Sequence, residues 1–341
     1  MQHIGQASLK DFFRMKWSPD LQALGRSIKL VARVAKAKLE GPRIDPPPLL
    51  RPSHLLEFQA FGDNPGRLRM RAHVPPSVTG RPLVVLLHGC GQEPAAFAIE
   101  SGWIALADRV GLALVLPTQS EDNQRQRCFN WFRPSHVARG GGEAQSIRSM
   151  VTEAVRRFAS DTRAVYIAGL SAGGAMTVAM LAAYPDVFAA GASIAGLPVG
   201  AASGAASALA RMAQAGPDDR SAEAWAEQVR HAAPADYRGP WPRLSIWHGS
   251  MDTVVDPANA ALLALQWRSV HGLLAAPPAV TMHGLARQEV WGAANRPSVE
   301  LWTLPTVAHA YPVAVAGIPS AAVLPAGISA TDRIARFWRL G

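Results

Sequence analysis

A serine in the pattern Gly-x-Ser-x-Gly could act as a nucleophile in this chain. Ser171 lies between Gly169 and Gly173, after the β-branched run 164–168, and a segment of small residues with helical character follows. This context predicts a sharp strand-to-helix turn that lifts the serine hydroxyl above a parallel sheet. The alternative is a small-residue turn without chemistry, because the bare pattern also occurs by chance. The strand before the serine and the helix after it favour catalysis.

A serine hydroxyl becomes a good nucleophile only when a histidine accepts its proton and an acid orients that histidine. In folds with this turn, the acid and then the histidine come after the serine, each beyond a later strand. Asp252 follows the apolar run 244–247, and His309 follows the run 301–304. We therefore expect Ser171, Asp252 and His309 to form a catalytic triad.

Other residues could take the same roles. Asp256 is the rival acid, but its position before Pro257 is typical of a helix N-cap. His271 and His283 are the rival histidines, although neither follows a strand end so directly. His248 precedes a glycine turn, and we expect it to hydrogen-bond the acid loop.

Ester or amide chemistry also needs N–H donors for the negative charge that develops on the substrate oxygen. One donor is expected from Ala172, directly after the serine, and the other from the glycine-rich segment that follows the run 83–88. Cys90 N–H is the expected second donor, with Gln92 close to it. Cys90 is a poor alternative nucleophile, because no acid–histidine pair serves it in chain order.

Five short motifs lie in a defined order between residues 68 and 312: His88–Gln92, Cys128–Phe132, Gly169–Met176, Ile194–Pro198 and Trp247–Asp252. Together they resemble the poly(3-hydroxybutyrate) depolymerase family of esterases. That family shares the α/β-hydrolase fold with feruloyl and acetylxylan esterases.

The resemblance implies the triad named above. It also places His88 and Cys90 near the oxyanion site and implies that Cys90 and Cys128 face each other, since secreted members often bridge these loops. One departure is the segment 307–312, which keeps the histidine and the proline of the family pattern but lacks the preceding glycine.

Strand and helix patterns alternate after residue 80, which predicts an α/β fold with a mostly parallel sheet and helices on both faces. An antiparallel hairpin at the sheet edge is expected from 55–61 and 68–74. The predicted strands are 83–88, 112–117, 164–169, 188–194, 244–249 and 299–304, and the predicted helices are 95–110, 143–159, 172–184, 222–231, 257–271 and 331–339. The Ala/Gly-rich stretch 200–216 is either a helix of low specificity or a mobile insert over the site.

The first 52 residues are predicted to form a separate unit, and the catalytic domain is predicted over 53–341. Basic and apolar residues alternate over 18–39 as in an amphipathic helix, and prolines between 41 and 52 indicate a stiff linker. The helix either packs on its own domain or contacts a granule or membrane surface. It lacks the uninterrupted apolar core and cleavage site of a signal peptide.

The composition narrows the possible partners. The chain has 341 residues, of which 49% are hydrophobic, and carries a formal net charge of +9. No apolar run reaches the ~20 residues needed to span a bilayer. The basic residues are scattered without interleaved aromatic residues, so nucleic-acid binding is not indicated. The two cysteines lack metal-ligand spacing, and we expect neither a metal nor a cofactor.

The aromatic residues near the expected site loops suit an apolar acyl chain or an aromatic acid. The expected substrate contacts are Gln92, Trp131, Trp247 and Tyr311. With no arginine cluster near the site, the preferred substrate is a neutral ester: a hydroxybutyrate polymer or oligomer, a feruloyl ester or an acetyl ester. A peptidase of the same fold and a granule- or membrane-binding protein with a relic site are the alternatives. The lack of a signal-peptide pattern favours the cytoplasm, whereas a cysteine bridge would favour an extracellular or periplasmic location.

Overall fold

The computed structural model describes residues 55–76, 80–215, 220–315, 320 and 322–340. The helix predicted over residues 18–39 and the linker predicted over 41–52 lie outside the described residues. Across the described parts of the chain, none of the helices combines the length and apolar composition needed to cross a bilayer.

Ten strands form one sheet in the order β1-β2-β4-β3-β5-β6-β7-β10-β9-β8. Its strands are β1 (Leu56–Phe58), β2 (Arg69–His73), β3 (Leu83–Leu87), β4 (Ala113–Thr118), β5 (Val165–Leu170), β6 (Ala190–Ile194), β7 (Arg243–Gly249), β8 (Ala279–His283), β9 (Ala286–Ala293) and β10 (Arg296–Leu304). The six strands from β4 to β10 in this order run parallel, and the pairs β1–β2 and β9–β8 extend the two edges antiparallel. Two short parallel strands, β11 (Tyr311–Val313) and β12 (Val323–Pro325), form a separate pair.

Helices cover both faces of the large sheet. They are α1 (Pro94–Glu100), α2 (Trp103–Val110), α3 (Pro134–Val137), α4 (Gly142–Phe158), α5 (Ala172–Ala183), α6 (Ala205–Ala213), α7 (Ala222–Ala232), α8 (Ala258–Val270) and α9 (Ala330–Trp338). Helices α4, α5, α7 and α8 pack into one core, and α1, α2 and α9 pack into the other.

Strand β3 shows why both faces of the large sheet must be covered by helices. Leu83, Val85 and Leu87 point into the first core, whereas Val84 and Leu86 point into the second, because successive side chains of a strand alternate between faces. A strand that is apolar on both faces is stable only between two layers of helix. The predicted fold class, a mostly parallel sheet between helices with an antiparallel hairpin at one edge, is confirmed.

Several features differ from the sequence prediction or decide between its alternatives, and helix α3 and the pair β11–β12 are among those not predicted. The helix predicted over 95–110 is two helices, because Gly102 adopts φ +82° and ends the first one. The stretch 200–216 contains helix α6. The antiparallel pair β8–β9 was not predicted, because the alternating Val280 and Met282 of the exposed strand β8 form too short a run to identify a strand.

Candidate active site

Ser171 lies at the turn between β5 and α5, in the position that the sequence pattern predicts. Its backbone adopts φ +57° and ψ −120°, a conformation that costs energy for a residue with a side chain. The Ser171 N–H donates to the carbonyl of Ile194 at 2.8 Å, which ties the turn to the end of β6. The tight turn directs the hydroxyl away from the sheet and toward the loops at its carboxyl edge.

The three residues expected in the triad lie within hydrogen-bond distance of one another. Nε2 of His309 lies 2.9 Å from Oγ of Ser171, and Nδ1 of His309 lies 2.7 Å from Oδ2 of Asp252. The Asp252 side chain is fully buried, whereas the His309 side chain keeps 19% of its surface exposed. The arrangement can move a proton from the serine to the histidine while the carboxylate holds the ring.

The fold brings these residues together because β5, β7 and β10 are parallel strands of one sheet, so their carboxyl ends share an edge. The loops after β7 and β10 are also joined directly. The Ser250 N–H donates to the carbonyl of Leu304 at 2.9 Å, and the Met251 N–H donates to that of Val307 at 3.0 Å. These bonds hold the loop of the acid against the loop of the histidine.

The environment of Asp252 keeps it ionised. Its Oδ1 accepts the N–H groups of Val254 and Val255 at 2.8 and 2.9 Å. Burial alone would raise the pKa of the carboxyl, but the hydrogen bonds from His248, His309 and Val255 outweigh it and hold the pKa well below the usual range of an aspartate. The carboxylate is therefore negative at neutral pH, as an orienting group for a histidine must be.

The expected oxyanion donors lie on two loops that pack against each other. Among the described residues, neither the N–H of Ala172 nor that of Cys90 has a hydrogen-bond acceptor. A Cβ on Gly89 would lie 3.5 Å from the carbonyl of Leu170, so the loop after β3 runs beside the serine turn. The assignment of Ala172 and Cys90 as oxyanion donors stays a prediction.

His88 cannot supply a donor from its ring. Its Nδ1 lies 2.8 Å from the carbonyl of Gly89, and its Nε2 accepts the N–H of Gln119 at 3.2 Å. Burial lowers the pKa of His88 to about 4, so the ring is neutral at pH 7. The ring fixes the loop that carries Cys90, and a contribution of the His88 backbone to the oxyanion hole stays a prediction.

Cys90 and Cys128 form a disulfide bond. The bond joins the loop after β3 to the loop after β4. Gln124 stabilises the loop after β4, since its Oε1 accepts the N–H of Cys128 in the same loop at 3.1 Å. The expected pairing of the two cysteines is present in the structure.

A buried carboxylate, not identified from the sequence, supports the same loop. Glu143 at the start of α4 has no exposed surface and accepts the side-chain amide of Gln119 at 2.7 Å and the N–H of Asn130 at 2.7 Å. An acid in the first turn of a helix is ordinary in a sequence, because it favours the helix dipole. Only the folded chain distinguishes this buried anchor from a surface acid.

Two of the expected substrate contacts are wrong. Trp247 is fully buried, stacks on Trp302 with ring centroids 4.5 Å apart, and donates to Oγ of Ser245. Tyr311 is also fully buried, and its hydroxyl hydrogen-bonds Trp103 and Thr331. Large aromatic side chains are usually buried. Proximity to the site loops in the sequence was therefore a poor guide to substrate contact for these two residues.

The other two expected contacts stay predictions. Oε1 of Gln92 accepts the N–H of Gly89, so this side chain shapes the loop after β3. Trp131 keeps 9% of its surface exposed and packs edge-to-face on Phe132.

The rival acid and histidines are engaged elsewhere. Asp256 accepts the N–H groups of Ala258 and Ala215, in agreement with its interpretation as a helix cap. His271 hydrogen-bonds the carbonyl of Pro242, and His283 hydrogen-bonds Oε1 of Gln288. His248, as expected, contacts the acid loop: its Nε2 lies 3.0 Å from the Asp252 carboxylate.

Two apolar side chains lie next to the acid in the chain, and no sequence pattern had singled them out. Met251 is 60% exposed and Val254 is 47% exposed, and both lie on the loop that carries Asp252. Both side chains are therefore accessible to a ligand that reaches the acid loop. Within the described ranges, no group of three or more His, Cys, Asp or Glu side chains is placed to hold a metal ion.

Comparisons with known proteins identify the family of the chain. The family model for esterase PHB depolymerase matches residues 70–292, which include Ser171 and Asp252. The chain is 41% identical over 261 residues to poly(3-hydroxyalkanoate) depolymerase C of Paucimonas lemoignei, covering 76% of this chain and 62% of that protein. It is 32% identical over 232 residues to feruloyl esterase B of Talaromyces funiculosus, covering 66% of this chain and 65% of that protein.

These matches span less than two thirds of the length of either relative. Among solved structures, the acetyl xylan esterase from Aspergillus awamori aligns with a TM-score of 0.71 and 25% identity, over 84% of this chain and 99% of that one. The fold is the α/β-hydrolase fold, and the chain belongs to the esterase PHB depolymerase family.

Proposed function

We propose that this chain is a serine carboxylic-ester hydrolase that uses Ser171, His309 and Asp252 as its catalytic triad. The observation that carries the proposal is the pair of hydrogen bonds on His309, 2.9 Å to Oγ of Ser171 and 2.7 Å to Oδ2 of Asp252. A serine, a histidine and a buried carboxylate joined in this order are suited to nucleophilic attack on a carbonyl.

In the proposed mechanism, Oγ of Ser171 attacks the ester carbonyl carbon as Nε2 of His309 accepts the hydroxyl proton. Asp252 stabilises the imidazolium, and the N–H groups of Ala172 and Cys90 bind the oxyanion. The alcohol leaves with the proton from His309, which gives an acyl-enzyme. Water, deprotonated by His309, then releases the acid, and the proton returns to Ser171.

We infer that the substrate is a poly- or oligo(3-hydroxybutyrate)-type ester. The name of the 41% identical relative, a poly(3-hydroxyalkanoate) depolymerase, supports this class. The exposed side chains of Met251 and Val254 beside Asp252 also support it, since they offer apolar contact to a neutral chain.

A short acetyl ester or a feruloyl ester is the second candidate. It is favoured by the alignment of the acetyl xylan esterase from Aspergillus awamori over 84% of this chain and by the similarity to feruloyl esterase B. The two candidates differ in the acyl group that the cleft must accept.

A hydrolysis panel tests the proposal and separates the candidates. It contains 3-hydroxybutyrate oligomers, p-nitrophenyl acetate and butyrate, methyl ferulate and acetylated xylan, each with the wild type and with Ser171→Ala. We expect the highest kcat/KM on the oligomers and labelling of the wild type alone by a fluorophosphonate. Equal turnover by the Ser171→Ala variant contradicts the triad. Absence of both turnover and labelling in the wild type supports a binding protein with a relic site.

We further propose that residues 53–341 form the catalytic domain and that residues 18–39 contact a granule or membrane surface. The basic and apolar residues of that segment support an interfacial helix. Deletion of residues 1–40 should abolish co-sedimentation with anionic vesicles and with polyester granules while p-nitrophenyl butyrate turnover is kept. Unchanged sedimentation contradicts the surface role.

A further inference from the structure

The candidate triad includes a second histidine beside its acid. His248, the sixth residue of β7, precedes Asp252 by four residues, and its side chain is 3% exposed. Its Nε2 lies 3.0 Å from Oδ2 of Asp252 and 3.0 Å from the carbonyl of Val255. Both neighbours are acceptors, so Nε2 carries a proton and donates it between them.

Oδ2 of Asp252 therefore has two histidine donors. His309 Nδ1 lies 2.7 Å from this oxygen and His248 Nε2 lies 3.0 Å from it, whereas Oδ1 accepts two backbone N–H groups. A carboxylate without exposed surface depends on such donors, because no water replaces them. The two histidines are the titratable side chains that hydrogen-bond this carboxylate, and Ser171 lies on the far nitrogen of His309.

The other ring nitrogen of His248 indicates where its proton lies. Nδ1 is buried and has no hydrogen-bond partner among the described residues. A proton on Nδ1 would be a buried N–H without an acceptor, which is costly. The geometry therefore favours the proton on Nε2, where His248 donates to the acid.

We propose that His248 is a positioning residue for the reaction: it fixes Oδ2 of Asp252 opposite Nδ1 of His309 and takes up part of the carboxylate charge. This inference rests on the proposed function. A carboxylate with one donor fewer concentrates more charge on His309 and stabilises its imidazolium. Loss of the His248 donor therefore moves the acidic limb of the pH–rate profile to higher pH.

A matched pair of amide variants tests this role. His248→Gln can place an amide N–H near the position of Nε2, whereas His248→Asn is one methylene shorter and falls short of Oδ2. With p-nitrophenyl butyrate, we expect His248→Asn to lower kcat on the order of 10- to 100-fold, the size of effect that misplacement of a catalytic group causes. The acidic limb of the pH–rate profile of His248→Asn should lie at higher pH than that of the wild type. We expect His248→Gln to restore most of kcat and the wild-type limb.

A purely structural role predicts a different result. If His248→Asn lowers kcat with its acidic limb unchanged, or if a folded His248→Gln variant is no better than His248→Asn, the proposal is overturned. The ¹⁵N NMR shifts of the histidine rings in the wild type give a test that needs no variant to fold. His248 should carry a proton on Nε2 at neutral pH, and a ring protonated on Nδ1 alone overturns the proposal.

The NMR result is independent of turnover, so it separates this inference from the proposed function. Retained activity in Ser171→Ala would overturn the serine mechanism and leave the contact between His248 and Asp252 to be judged by its tautomer alone.

Discussion

A Cβ on Gly173 would stand 2.6 Å from the carbonyl oxygen of His88 and would also collide with that of Leu87. The second residue of helix α5 therefore contacts the end of β3 through bare backbone. This contact sets the distance between the serine turn and the loop that carries Cys90. Glycine is required at this position by the close approach of two backbones, and no other residue fits without moving one of them.

Gly173→Ala should damage both stability and activity. Overpacking of this kind typically costs about 1–3 kcal/mol, and the displaced loop would carry Cys90 N–H away from the oxyanion position. We expect a lower free energy of unfolding in urea and a fall in kcat on p-nitrophenyl butyrate. The matched control is Gly204→Ala, since a Cβ on Gly204 meets nothing within 4 Å. Equal effects of the two substitutions would show that the close approach is unimportant.

Asp252→Asn should lower kcat by roughly 10³- to 10⁴-fold with little change in KM, because an amide no longer holds the His309 ring in the tautomer that accepts the serine proton. The control is Asp256→Asn on the same loop, whose carboxylate caps backbone N–H groups instead. Steady-state kinetics on p-nitrophenyl butyrate measure both variants. A similar loss in each would assign the effect to loop stability.

Reduction of the disulfide bond between Cys90 and Cys128 should lower both the free energy of unfolding and kcat. The two cysteines are 38 residues apart, and closure of a loop of that length stabilises a fold by about 4 kcal/mol at most in the chain-entropy estimate. Urea unfolding with and without dithiothreitol measures the change in free energy, and kcat reports the position of the Cys90 loop. The double variant Cys90→Ser/Cys128→Ser should be insensitive to the reductant, and a reductant effect on it would point to another cause.

His88 should make stability depend on pH in the acidic range. Burial lowers its pKa to about 4 in the folded state, while the unfolded chain has the ordinary value near 6.5. The unfolded state thus binds the extra proton first as pH falls, so stability is present above about pH 6.5 and is lost between there and pH 4. The loss is on the order of 3 kcal/mol.

Urea unfolding of wild type and His88→Gln at pH 7 and pH 4 measures this effect. The variant should show the smaller change between the two pH values. His231→Gln is the control, because that side chain is 78% exposed and the same substitution there removes no buried ring. An unchanged pH dependence in His88→Gln would mean that the ring is protonated without cost.

The chain order of apolar runs and polar loops was enough to predict the parallel sheet, the edge hairpin and the positions of Ser171, Asp252 and His309. Each of these depends on a local signal: a strand is apolar on both faces, or a polar residue follows directly after it. The edge strand β8 and the buried Glu143 give no such signal. The apolar residues of β8, Val280 and Met282, form too short a run to identify a strand, and an acid at a helix start is common on surfaces.

Two aromatic residues show more clearly which properties could not be predicted from the sequence. From their proximity to a site loop, Trp247 and Tyr311 were predicted to contact substrate. In the structure, Trp247 stacks on Trp302. Tyr311 is buried, and its hydroxyl hydrogen-bonds Trp103 of α2 and Thr331 of α9. Trp302 is 55 residues from Trp247 in the chain, and Trp103 is 208 residues from Tyr311. No local pattern reports such partners.

By itself, the sequence determined the class of fold, the order of the candidate catalytic residues and the family to which the chain belongs, because those properties follow from periodicity and from motifs read along the chain. Only the tertiary structure decided which side chains meet: that His309 lies between Ser171 and Asp252, that His248 shares the same carboxylate oxygen, and that Met251 stands exposed beside them. Hydrogen bonds and burial are set by distances in space, and residues 138 positions apart acquire a distance of 2.9 Å only when parallel strands end at one edge of a sheet.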